Sequence, residues 1–216
     1  NALRMKQISP FRTLTFSVGK LISGGVLNII PDDLSFGGTV RVFDLEDGRT
    51  FLKQLKTILD HDCAIYDCTW EFNVQAGPFS GVINDPDCAA LARKAVAEAV
   101  GAEHVITCEP WMASESFALS QQKWPGVFGL VGITNEEVGS GAAHHNGQFD
   151  IDEAGLKYSA ASYIAYALAF LDSDLDTSAK VNPKSFAEIY RDNAQNQTHI
   201  DFLEHKIEKL DFSMYR

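Results

Sequence analysis

The sequence predicts a mixed fold, α/β with α+β: a small sheet-plus-helix layer, then part of an α/β layer, then a charged helical tail. Three observations predict it. Strand-like runs rich in β-formers crowd residues 1–84 around a single helix-period segment. Helix-period runs and short apolar runs then alternate through residues 85–171. Residues 172–216 are charged, with apolar positions at helical spacing.

The elements follow in chain order. Thr13 to Ser23 alternates and reads as a strand, which Gly24 and Gly25 break. Val26 to Ile30 and Gly38 to Phe43 read as two further strands around a turn at Pro31, Asp32 and Asp33. Asp47 and Gly48 open a helix whose apolar positions Phe51, Leu52, Leu55, Ile58 and Leu59 recur at helical spacing. A strand from Thr69 to Gln75 completes the α+β layer. Asp85, Pro86 and Asp87 combine an N-cap, a first-turn proline and an acid at the positive dipole end. Leu91, Ala92, Ala95, Val96, Ala99 and Val100 share one face of that helix, and Gly101 stops it. His104 to Cys108 reads as a short strand, and Gly126 to Ile133 as a strand buried on both faces. Asp152 to Leu171 reads as a long helix. Pro183 starts another, with Phe186, Ile189 and Tyr190 as its apolar side, and Ile200, Leu203, Ile207 and Leu210 mark a last one.

Composition excludes several functions. The formal net charge is −11, which argues against nucleic acid and against anionic membranes. No apolar run reaches the roughly 18 residues of a spanning helix. The longest, near Tyr163 to Leu171, ends in Asp172 and Asp174. The opening Asn-Ala-Leu-Arg has no apolar core of a signal peptide and no Met, so the first residue is expected to lie inside a longer gene product. Cys63, Cys68, Cys88 and Cys108 form no C-x-x-C pair. They read as small buried apolar residues of a reducing compartment, hence a cytoplasmic protein. Asn196-Gln197-Thr198 is a glycosylation sequon that matters only in a secreted chain.

Two polar clusters carry chemistry. His144 to Glu153 lies between a predicted buried strand and a predicted long helix, where α/β sheets place their sites. An imidazole there suits a divalent metal; the competing account is a solvated histidine with acids that cap the helix. Met112 to Phe117 holds Glu115, a candidate acid, base or supporting carboxylate, or an ordinary capped helix start. Asp172, Asp174 and Asp176 imitate a calcium loop but lack its glycine and final glutamate. Glu136 and Glu137 suit a solvated loop, and Ser114 and Ser116 have no G-x-S-x-G elbow.

Taken in order, five segments resemble one family. Gly24-Gly25-x-x-Asn28-Ile29-Ile30-Pro31-Asp32 is similar to a G-G-x-x-N-V-I-P-D segment, and Gly38-Thr39-Val40-Arg41-Val42-Phe43 to G-T-x-R-x-F. Val82-Ile83-Asn84-Asp85 resembles V-x-N-D. Met112 to Phe117 resembles M-G-S-E-D-F with Ala113 and Ser116 as departures, and His145 to Glu153 resembles H-x-P-x-F-x-I-D-E with Gly147 for proline. The family is that of the aminoacylases, carboxypeptidase G and hippurate hydrolases, zinc metallopeptidases, in its N-acyl-amino-acid amidohydrolase subgroup. The resemblance covers about residues 10 to 171.

It implies a lid or dimerisation domain over residues 1–84, the C-terminal part of a zinc-peptidase-like catalytic domain over 85–171, and a helical charged tail over 172–216. It implies hydrolysis of an amide between an acyl group and an amino acid, or of a peptide-like bond. There a metal-bound water attacks the carbonyl and a glutamate moves the proton. His145 matches a metal ligand. Asn28 and Arg41 match substrate-binding positions, suited to a carboxylate or an oxyanion. Glu115 matches a carboxylate near the site, catalytic or supporting. The cofactor implied is zinc or manganese in the complete enzyme. The partners implied are a small N-acyl amino acid or peptide substrate, a second copy through the lid domain, and an N-terminal half that holds the other ligands. One histidine falls short of the three protein ligands of a catalytic zinc, so this chain alone is expected to bind no metal tightly and to lack activity. Two other classes stay open: a non-catalytic dimerisation or interaction module, and a single-metal protein built on His144 and His145 with Asp150, Asp152 and Glu153.

Overall fold

A computed structural model describes residue 3, residues 8–72 and residues 81–193. The chain divides into two compact units. The first takes residues 1–82, 111–120 and 184–216, and the second 83–110 and 121–183.

The first unit is built on a hairpin. Strand β1 (Leu14–Ser23) pairs antiparallel with β2 (Leu34–Val42), Leu14 opposite Val42 and Ser23 opposite Leu34. The register slips once, between Val18 and Lys20, so Gly19 is an extra residue on β1. The slip has a consequence for the faces. Leu14, Phe16, Val18 and Leu21 share one side with Leu34, Phe36, Val40 and Val42, while Thr15, Ser17, Lys20, Thr39 and Arg41 take the other. It also leaves Ile22 on the polar side, opposite Ser35, so without the slip Leu21 and Ile22 would exchange sides. Gly38 is needed at its place in the ladder, because a Cβ there would sit 1.9 Å from the Ser17 carbonyl oxygen.

Helix α1 (Leu45–Ile65) covers the near half of the apolar face. Its N-cap is Asp44, which accepts from the Glu46 amide at 2.9 Å. Arg12 pairs with both Asp44 and Asp47. Leu3, Ile8, Leu14, Phe51 and Leu52 form the buried cluster, with Val40, Val42, Leu55, Ile58 and Phe72 packed against it. Full burial of a Phe or Leu side chain contributes roughly 1.5–3 kcal/mol. The far half of the face is exposed at Val18, Leu21, Leu34 and Phe36.

Two predicted strands are absent here. Val26 to Ile30 is the connection between β1 and β2, with the Ile29 amide bonded back to the Val26 carbonyl. The apolar run is there, but the hairpin must turn within it. Thr69 to Phe72 forms no strand, and Trp70 Nε1 instead donates to Asp60 at 2.9 Å. The rest of that predicted strand, from residue 73, lies outside the described residues.

Also in this unit, α5 (Phe186–Asp192) begins at Ser185 rather than Pro183. Ser185 and Glu188 form a capping box, and Ile189 is buried. The predicted helix from Ile200 to Leu210 lies outside the described residues.

The second unit packs α2 (Pro86–Val100) on α4 (Leu156–Leu171). Asp85 caps α2 by accepting from the Asp87 and Cys88 amides, and Gly101 ends it at φ +99°. Cys88, Ala92 and Ala95 are buried along it, small residues that permit close approach. A short 3-10 turn, Glu153–Gly155, leads into α4. Lys180 reaches Asp85 at 2.7 Å and Asp87 at 2.6 Å and ties the segment after α4 to the start of α2. That ion pair holds the Asp85 carboxyl down at about 2, with the backbone bond from Cys88 adding to it.

The strands predicted at His104 to Cys108 and Gly126 to Ile133 do not form. A 3-10 turn occupies Ala102–His104, and neither stretch joins a ladder. The hairpin is the only sheet among the described residues. Leu130 and Val131 are exposed rather than buried on two faces. A strand exists only through its partners, and no described segment pairs with either run. What fastens the second stretch is a side chain: Asn84 accepts from the Phe128 amide at 2.8 Å and donates to its carbonyl at 3.0 Å.

Candidate functional site

Three of the four candidate residues lie in the first unit. Arg41 projects from the polar face of β2, and its Nη1 donates to Ser114 Oγ at 3.3 Å. Glu115 follows at the entry to α3 (Phe117–Lys123). Its carboxylate accepts from the Ser116 hydroxyl at 3.0 Å and from the Phe117 amide at 3.4 Å. Those bonds, the hydroxyl first, hold its pKa below the ordinary glutamate value. Glu115 is therefore an ionised acceptor at neutral pH and a poor proton donor. Asn28 sits in the turn after β1, exposed. About 23 Å of β2 separates Arg41 from the start of that strand, beyond which the turn lies. The structure thus gathers Arg41, Ser114 and Glu115 and leaves Asn28 at the other end of the hairpin. Ser114 is the member that sequence reasoning did not single out as a partner of Arg41. Only contact across 73 positions reveals it.

The fourth, His145, lies in the second unit, on the loop from residue 134 to residue 151. Its backbone is left-handed, φ +63°, a conformation that costs a residue with a Cβ roughly 1–2 kcal/mol. Local bonds surround it. The Asn146 amide donates to the Ala143 carbonyl at 3.3 Å, and the Asn146 side chain accepts from the Gln148 amide at 2.9 Å. His144 meets Phe149 edge-on, ring centres 5.1 Å apart. His145 itself is exposed to solvent.

The acids beside it are occupied locally. Asp152 accepts from the Ala154 amide and from Asn135 Nδ2, which lowers its pKa, and Asp150 accepts from the Ile151 amide. No group of three or more His, Cys, Asp or Glu side chains able to hold a metal occurs among the described residues. The donor set fits one imidazole contributed to a centre, not a centre by itself.

The comparisons with known proteins bear on this arrangement. The profile of peptidase family M20/M25/M40 matches residues 12–169. The chain belongs to that family. It is 27% identical over 169 residues to IAA-amino acid hydrolase ILR1-like 4 of Arabidopsis thaliana, over 77% of this chain and 38% of that protein. It is 30% identical over 166 residues to thermostable carboxypeptidase 2 of Saccharolobus solfataricus, over 76% and 41%. Among solved structures it is similar to one described as an aminohydrolase from methicillin resistant Staphylococcus aureus. The TM-score is 0.58 at 25% identity, over 78% of this chain and 43% of that one. The chain thus spans about two fifths of the length of the curated relatives it matches. The resemblance drawn from the motifs and the family match agree. Residues 170–216 fall outside the matched stretch.

No described helix is long and apolar enough to cross a membrane. All four cysteines are free, but only Cys88 is buried as expected: Cys63 is half-buried, and Cys68 and Cys108 are exposed on segments that no described element covers.

Proposed function

We propose that this chain is the C-terminal part of a metal-dependent amidohydrolase that cleaves N-acyl or peptide-like amide bonds of amino acids. The observation that carries the proposal is the family match over residues 12–169. The relatives' names, an amino acid conjugate hydrolase and a carboxypeptidase, point to amide bonds next to an amino acid.

Under this reading residues 1–84 are the lid and residues 85–171 the C-terminal part of the catalytic domain. Arg41, tethered to Ser114, offers a guanidinium for a substrate carboxylate or a developing oxyanion, and Asn28 offers a neutral amide donor. Glu115, held ionised, orients donors near the site rather than giving up a proton. His145 would supply one ligand to zinc or manganese. The bound metal supplies an activated water and polarises the scissile carbonyl. The other ligands would come from sequence outside this chain, so the chain alone would be inert. The exposed apolar half of the hairpin face, Val18, Leu21, Leu34 and Phe36, supports a homodimer through the lid. The same face favours the second reading, a dimerisation or interaction module without catalysis. Four free cysteines support a reducing, cytoplasmic compartment.

The test is hydrolysis of N-acetyl amino acids by the protein extended to its relatives' length and loaded with zinc or manganese. The proposal expects turnover that His145→Ala lowers by about 10²-fold or more. Absence of turnover across a panel of N-acyl amino acids and dipeptides, with the metal bound, would favour the module.

A further inference from the structure

We infer that Asn135 and Ser140 are positioning residues for His145: they close the neck of its loop and so fix the backbone state in which the imidazole is presented. This rests on the proposed role of His145 as a metal ligand.

The loop from residue 134 to 151 leaves and returns at one point. The Ile133 carbonyl accepts from the Asp152 amide at 3.0 Å. Ser140 folds into the same point. It is 5% exposed, its hydroxyl lies 3.1 Å from the Ile133 carbonyl and 3.2 Å from the Asn135 carbonyl, and it accepts from the Asn135 amide at 2.7 Å. The Ser140 amide returns a bond to the Asn135 carbonyl at 3.1 Å. Asn135 then crosses to the far arm, where Nδ2 donates to Asp152 Oδ2 at 2.8 Å. The other oxygen of Asp152 accepts from the Ala154 amide and starts the turn into α4. The neck is therefore anchored to a helix and carries a buried hydroxyl whose donor and acceptor capacities are both used. Gly141 passes so close to Thr134 that a Cβ would meet its methyl at 3.0 Å, so the neck is also sterically narrow.

An open loop of this length would sample many states and leave a left-handed histidine unfavoured. Closing the neck removes most of those states and lets the short turns at residues 143–149 set His145. A ligand ordered before the metal arrives costs less to bind. None of the buried residues of α2, Cys88, Ala92 and Ala95, belongs to this loop, so the neck can fail while the helix pair stands.

The experiment uses this chain without metal. Amide exchange reads the neck, and NMR backbone couplings and carbon shifts read φ at His145. Ser140→Ala is expected to speed exchange at Asn135 and Asp152 by roughly tenfold. It should also average the positive-φ signature of His145, with α2 and α4 unchanged. Ser140→Thr, which keeps the hydroxyl, should restore both, and Asn135→Ala should repeat the loss. Unchanged exchange and an unchanged His145 signature in Ser140→Ala would overturn the inference. So would exchange that rises equally through α2 and α4, the mark of a general structural role. Neither readout involves metal, so a failure of His145 as ligand would show in the metal content and turnover of the extended protein and not here.

Discussion

The hairpin unit and the α2–α4 unit answer the same kind of sequence differently. In the first, two runs of β-formers found each other, and their paired register sets eight apolar residues on one face. In the second, the equally apolar run from Gly126 to Ile133 has no partner strand among the described residues, and Leu130 and Val131 remain exposed. The difference teaches that apolar pattern predicts a strand only where the same chain supplies a neighbour within reach. A helix closes its own hydrogen bonds, so α2 forms where its spacing predicts, and α4 forms over Leu156–Leu171, four residues later than the Asp152 start expected, because a 3-10 turn takes Glu153–Gly155.

Breaking the hairpin gives the largest expected effects. Phe51→Ala should cost about 3–5 kcal/mol, since its ring lies tilted against Phe16, centres 5.3 Å apart, and is buried in the cluster. Denaturant unfolding followed by tryptophan fluorescence and circular dichroism should show the first unit melting early while α2 and α4 persist. Gly38→Ala forces a Cβ into the Ser17 carbonyl and should cost about 3 kcal/mol, read the same way. If Gly38→Ala were neutral, the ladder register described here would be wrong.

Sharpening the comparison means perturbing the second unit without touching the first. Gly101→Ala places a side chain at φ +99° and should destabilise α2 by about 1–2 kcal/mol, seen as faster amide exchange in its last turn. The smallest effect is in pH. The folded Asp85 carboxyl lies near 2, below its ordinary value near 4. Its contribution to stability is therefore full above about pH 4 and fades as pH falls toward 2. Asp85→Asn should flatten the acid limb of thermal stability for this unit, and an unchanged limb would contradict the Lys180 pairing.

Much of the frame was legible in the residues. The helix of Phe51 and Leu52, the Asp85-Pro86 start and the Gly101 stop rest on local chemistry that needs no partner, whereas the strand that ends at Ser23 also needed β2 beside it. Val26 to Ile30 misled because its composition favours a strand while the hairpin demands a turn there. The run at residues 126–133 misled for the partner reason above. At the candidate site, His145, Glu115, Arg41 and Asn28 were singled out by motif order, but the side chains that hold them were not. Ser114 meets Arg41, and Asn135 meets Asp152, across gaps that periodicity does not encode. The only local hints were an asparagine two residues before Glu137 and the Gly139-Ser140-Gly141 run.

On the proposed reading, this chain contributes one metal ligand to a centre that other residues complete. Elemental analysis after incubation with zinc or manganese and thorough desalting tests it most directly. The account predicts close to zero ions per chain, whereas one or two tightly held ions would contradict it and would make His144, His145, Asp150, Asp152 and Glu153 a metal site in their own right.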